Sequence, residues 1–199
     1  MKHYPKLALF ALLLSSGIAF VSCSDDDDAT PPPAELTIYQ KLGGTTMVSD
    51  PNNPGQMIEQ GRLSYRSVVD STIVLIVTDI GAGAEGNLGE YFAPIVGEVT
   101  NGNTTNVAVL SKSLTDFFSA NTGGGATNTY TGLGMVAAHD PTQNPRMGAK
   151  ADNGDYDQFV GYVVEAALLN GLDPVDDAEL LGEIGAVLES LRTPIVQDL

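Results

Sequence analysis

The 199-residue chain sets 25 acidic side chains against nine basic ones, a formal net charge of −16. That balance argues against nucleic acid and against anionic lipid headgroups as partners. A single cysteine and two histidines leave no internal disulfide, no cysteine-based metal site and no histidine cluster.

The N-terminus reads as a targeting segment. Lys2, His3 and Lys6 precede an apolar run from Leu7 to Val21, broken at Ser15, Ser16 and Gly17 and too short for a convincing membrane span. Its end, Phe20-Val-Ser-Cys23, resembles a bacterial lipoprotein signal, with a small residue just before the cysteine. The resemblance implies that residues 1–22 are removed and that Cys23 is lipidated. The protein would then be held in the outer membrane, facing the periplasm or the cell surface. Phe20 departs from the commoner leucine, and an ordinary secretory signal is the alternative. The Asp25–Asp28 run resembles surface-export signals of some lipoproteins and reads equally well as a self-repelling tether. With the proline-rich 30–33 it makes residues 23–35 a spacer. Residues 36–199 then form one domain.

Leu36 to Leu42 is a short amphipathic run stopped by Gly43-Gly44. Residues 45–61 carry Asp-Pro, Asn-Asn and Pro-Gly pairs and read as a loop or insertion. Val68 to Asp79 is rich in β-branched residues, so local propensity favours a strand, while a buried helix fits as well. Gly81-Ala-Gly-Ala-Glu-Gly86 has the spacing of a dinucleotide loop. No clear helix is expected behind it, because Asn87 to Gly97 contains glycines and Pro94, and the phosphate-binding lysine is missing.

From Val107 the periodicity is plain. Val107, Leu110, Leu114, Phe117 and Phe118 form one helical stripe, ended by Gly123-Gly124-Gly125. The glycine-punctuated segment Tyr130–His139 follows, then a polar loop from Asp140 to Gly154. Tyr156, Phe159, Val160, Val163, Val164, Ala167 and Leu168 mark another helix, closed by Asn170-Gly171. Asp173-Pro174 reads as a helix start, and Leu180 to Ile195 supply the last stripe. His139 is the one histidine outside the leader. An imidazole among Met135, Val136, Ala137 and Ala138 suits a haem iron. By itself it suits a histidine packed or solvated near a helix end better still.

The order of these pieces resembles the first group of truncated haemoglobins. Ile38-Tyr-Gln-Lys-Leu-Gly-Gly44 is similar to that family's short first helix, and Leu110 to Gly124 to its distal helix. Tyr130-Thr-Gly-x-x-Met-x-x-x-His139 is similar to the segment carrying the iron-ligating histidine. Gly171 to Val196 is similar to its last turn and helix. The resemblance implies an all-α, two-over-two helical sandwich with long loop insertions. It also implies haem b on His139 as metal ligand and a diatomic gas (O2, NO or CO) as partner. Met135, one turn before His139, would share the haem-facing side, or else fill core space. Lys112 and Arg146 are candidates for the haem carboxylates by position.

The departures concern the opposite wall. Thr72-Ile73 stands where the family carries Phe-Tyr, so the distal pocket would be apolar, lined by Ile73, Leu110, Leu114 and Phe117. A hydrogen-bond donor stabilises bound dioxygen by roughly 1–3 kcal/mol. Without one, dioxygen should leave quickly and CO be relatively favoured. Tyr65 or Tyr91 could supply a donor in another register, although Tyr91-Phe92 reads as packing. Competing readings are a globin scaffold without haem and a surface haem-capture protein. No hydrolase motif is present. The readings point to a binding protein rather than an enzyme, with redox or NO chemistry as the open alternative. Any electron-transfer partner is undefined.

Overall fold

In the computed structural model, residues 34–198 are described, apart from Asn87. The leader, Cys23 and the tether through residue 33 lie outside the described residues. Seven α-helices and one small hairpin make up the rest. The domain is therefore mostly helical rather than purely so.

Helix α1 (Ile38–Lys41) opens on a capping box, with Thr37 Oγ1 accepting from Gln40 N and Gln40 Oε1 from Thr37 N. Gly43 stops it at φ +107°. The expected loop at 45–61 instead contains β1 (Met47–Ser49) paired antiparallel with β2 (Met57–Glu59), Val48 opposite Ile58. Asp50 closes this hairpin by accepting from Asn52 N and Asn53 Nδ2 at 2.9 and 2.8 Å. Its ion pair with Arg66, at 2.6 Å, ties the hairpin to the next helix. The Arg66 guanidinium holds the Asp50 carboxyl well below the usual range.

That next helix, α2 (Gln60–Gly81), takes in the whole β-branched run. Tyr65, Val69, Thr72, Ile73 and Ile76 are buried at helical spacing, because α2 packs against two partners, α4 and α6. Burial on both sides outweighs a propensity difference of a few tenths of a kcal/mol per residue. Gly83, at φ +69°, turns the chain after it, so the glycine-rich stretch is a helix stop rather than a phosphate loop.

Helix α3 (Gly89–Thr100) forms where none was expected, with Pro94 inside it. Proline removes the N–H that would bond the Glu90 carbonyl. The backbone of Gly148 lies directly against that carbonyl. Helix α4 (Thr105–Ser119) runs into a wider turn at Ala120–Gly124. After α5 (Met135–Ala138), helix α6 (Asn153–Leu169) begins on a reciprocal Asp152/Asp155 capping box. Helix α7 (Ala178–Ile195) starts four residues later than Asp173-Pro174 suggests. Asp173 instead caps a turn, accepting from Val175 N and Asp176 N.

α7 packs against α6, α5 and α1, and Lys41 bridges to Glu179 and Glu183 at 2.9 and 2.7 Å. Tyr39, Tyr65 and Phe118 stack in series at 6.4 and 5.9 Å. Ile76, Leu88 and Tyr162 form a second packed cluster. No helix among the described residues is long and apolar enough to cross a membrane.

Candidate functional site

On α4, Leu110, Ser113, Leu114 and Phe117 recur on one helical face. Phe92 and Ile95 of α3, Phe159 of α6 and Leu188, Leu191 and Ile195 of α7 face the same space. The segment from Tyr130 to His139 closes it, leaving a largely apolar cavity of about 450 Å³. This volume lies within the range of small-molecule and cofactor sites. Leu110, Leu114, Phe117 and Phe159 are only half-buried because they line it. Side chains around such a space forgo contacts that an occupant would restore.

His139 is the C-terminal cap of α5. Its Nδ1 lies 2.8 Å from the Met135 carbonyl oxygen. Burial lowers the imidazole's pKa, and this hydrogen bond only partly opposes the shift. The ring is therefore neutral at pH 7, with Nδ1–H donating to the carbonyl and the Nε2 lone pair free. Metal-binding histidines are commonly oriented by such a bond from the other ring nitrogen to a backbone carbonyl. Two further bonds anchor the short helix, from Asn144 Nδ2 to the Ala138 carbonyl at 2.7 Å and from Gln197 Nε2 to the Val136 carbonyl at 2.8 Å.

Of the residues singled out in the sequence, His139, Met135, Leu110, Leu114 and Phe117 come together around this cavity. Met135 contributes its carbonyl as well as its side chain. Ile73 is buried in α2, away from the cavity lining. Lys112 points from the other face of α4 and pairs with Asp116 at 2.5 Å. Arg146 does line the cavity, but its guanidinium is paired with both carboxylate oxygens of Glu98 at 3.1 Å. Tyr91 also lines it. Its hydroxyl donates to Asp155 Oδ2 at 2.6 Å, and burial together with that carboxylate pushes its pKa up. Tyr65 donates to Thr122 Oγ1 at 2.6 Å instead, and lines a second cavity of about 280 Å³ that shares Leu114, Phe118, Phe159 and Leu188 with the first.

Ser113 and Tyr130 lie on the cavity wall without having been picked out as site residues. Tyr130 packs edge-on against Phe117 at 5.3 Å. Ser113 could have been found from spacing, because it falls between Leu110 and Phe117 on their stripe. Among the described residues, no group of three or more His, Cys, Asp or Glu side chains could hold a metal ion. A haem iron, carried by its own macrocycle, asks the protein for as little as one nitrogen. The oriented neutral imidazole and the apolar walls fit that demand. Comparison with family models, curated proteins and solved structures found no match.

Proposed function

We propose that this chain is a haem-binding, truncated-globin-like lipoprotein that takes a diatomic gas. One observation carries the reading: a neutral imidazole, oriented by a backbone carbonyl, on the wall of a 450 Å³ apolar cavity. His139 would hold the iron through Nε2. Leu110, Leu114, Phe117, Phe92 and Phe159 would enclose the macrocycle of haem b and exclude water. When bound, haem supplies the coordination position for the gas. The chain's own part is to hold the imidazole, keep the pocket dry and set its polarity.

The helix order supports the same reading. α2 packs on α4, and α6 on α7, the pairings a two-over-two sandwich requires. Arg146, at the cavity, is the better candidate for a haem carboxylate than Lys112, provided that it leaves Glu98. Anchoring in the outer membrane through lipidated Cys23, at the periplasmic face or the cell surface, completes the proposal.

The test is titration of the full chain, in detergent, with haem. Wild type should develop a Soret band at one equivalent with an axial-histidine signature. His139→Ala should lose that signature. Identical spectra for the two would reject His139 as the ligand, and no uptake by wild type would reject the haem reading.

A further inference from the structure

Four described hydroxyls line the large cavity: those of Tyr91, Ser113, Tyr130 and Tyr156. Three already donate to protein acceptors. Tyr91 donates to Asp155, Tyr130 to the Leu133 carbonyl at 2.7 Å and Tyr156 to the Leu188 carbonyl. Ser113 has no side-chain hydrogen bond among the described residues. Several helical hydroxyls elsewhere in this chain fold back on the preceding turn, while Thr115 Oγ1 and Ser119 Oγ of α4 are buried without a partner, away from the cavity lining. Ser64 bonds the Gln60 carbonyl, Thr72 that of Val68 and Thr100 that of Val96. The Ser113 hydroxyl does not bond Val109 in this way, and its residue lies on the cavity face of α4 between Leu110 and Phe117.

We infer that Ser113 donates the hydrogen bond that discriminates among diatomic ligands in this cavity, an assignment that rests on the haem reading above. A serine hydroxyl rotates freely and can aim its proton at a ligand whose outer atom carries partial negative charge, as dioxygen's does. CO accepts such a bond more weakly. On α4 the cavity face is apolar except at Ser113 and at Asn106, whose amide already donates to Glu98 Oε1 at 2.9 Å, and dioxygen is held longer than leucine and phenylalanine alone would hold it. The donor comes from α4 rather than from α2, where Thr72 is spent on its own backbone and Ile73 lies away from the cavity.

The haem-loaded full chain is compared as wild type, Ser113→Ala and Ser113→Thr. Two quantities are read, the C–O stretch of the CO complex and the O2 dissociation rate. Ser113→Ala should raise the C–O stretch and speed O2 release about tenfold, the equivalent of one hydrogen bond to a charged acceptor. Ser113→Thr keeps the hydroxyl and should stay near wild type. A Soret band with both readings unmoved in Ser113→Ala overturns the Ser113 assignment and leaves the haem reading standing. A shift confined to the haem carboxylate bending mode places Ser113 at the carboxylate edge and also overturns it. Absence of any Soret band in wild type overturns the haem reading itself, and this assignment with it.

Discussion

The Nδ1 of His139 and the carbonyl oxygen of Met135 are 2.8 Å apart, joined within the last turn of a four-residue helix. Helix α5 is too short to be stable on its own, so the orientation of the ring depends on the anchors from Asn144 and Gln197. Because burial lowers the folded pKa below the unfolded value of 6.5, the unfolded chain binds more protons as pH falls. Stability is therefore present above pH 6.5 and is lost as pH drops through that value toward the lower folded one. Haem affinity should fall at the lower end of this range, as pH drops through the folded value, since a proton then competes for the nitrogen. Urea midpoints at pH 7.5 and 5.5 check this. His139→Gln should flatten the dependence, and equal slopes in the two proteins would count against it.

Arg62 links three distant segments. Its guanidinium reaches Asp116 at 2.5 Å and Asn128 Oδ1 at 3.0 Å. Asp116 is 6 % exposed. Its carboxyl is held below the usual range by hydrogen bonds from Lys112 and Arg62, which outweigh the opposing and largest single effect, burial. Arg62→Ala should leave that carboxylate with only Lys112, destabilising the domain by roughly 1.5–3 kcal/mol. Chemical denaturation should show the loss at pH 7 and a smaller one once pH falls through the folded pKa of Asp116. A loss that does not depend on pH would mean that the guanidinium acts through packing alone.

Gly43 and Gly55 separate two costs of left-handed backbone. Both have positive φ, +107° and +84°. A Cβ at Gly43 would overlap the Gln60 side chain, whereas nothing lies within 4 Å of one at Gly55. Each alanine variant carries backbone strain of about 1–3 kcal/mol, and only Gly43→Ala adds the clash. Thermal melts should place Gly43→Ala clearly below Gly55→Ala. Equal midpoints would show that Gln60 swings away freely.

Lys112 and Arg146, alike as candidate cations, should behave differently. Lys112→Ala removes a 70 % exposed partner of Asp116. It should cost no more than about 0.5 kcal/mol in stability and leave haem titration unchanged. Glu98→Gln frees Arg146 at the cavity, and haem should then bind more tightly. Arg146→Ala should bind it more weakly. If Lys112→Ala alone weakened binding, the carboxylate edge of the haem would lie on the other face of α4.

Much of the helical frame can be read locally. α4, α6 and most of α7 are stripes of apolar residues at three and four, and such spacing is a property of the chain itself. The proline inside α3 and the β-branched run in α2 mislead for the same reason. Local propensity counts neither the two helices that bury α2 nor the backbone of Gly148 packed against the carbonyl that Pro94 leaves. The hairpin at 47–59 is hidden in a polar segment because the ion pair that ties it to α2 comes from Arg66, sixteen residues beyond Asp50.

His139, Met135, Leu110, Leu114 and Phe117 were legible as candidates, since a lone imidazole and a helical stripe are visible in order and spacing. Only the tertiary structure decided that they surround one cavity, that Ile73 and Lys112 do not reach it, and that Ser113 remains the free hydroxyl on its wall. Those outcomes are set by which groups meet across the fold. The Tyr91 and Tyr156 hydroxyls find acceptors in other segments, that of Tyr130 finds one three residues along its own, and Asp116 claims Lys112 one turn away. Periodicity shows which face a residue takes, and the packed neighbours determine what that face is free to bind.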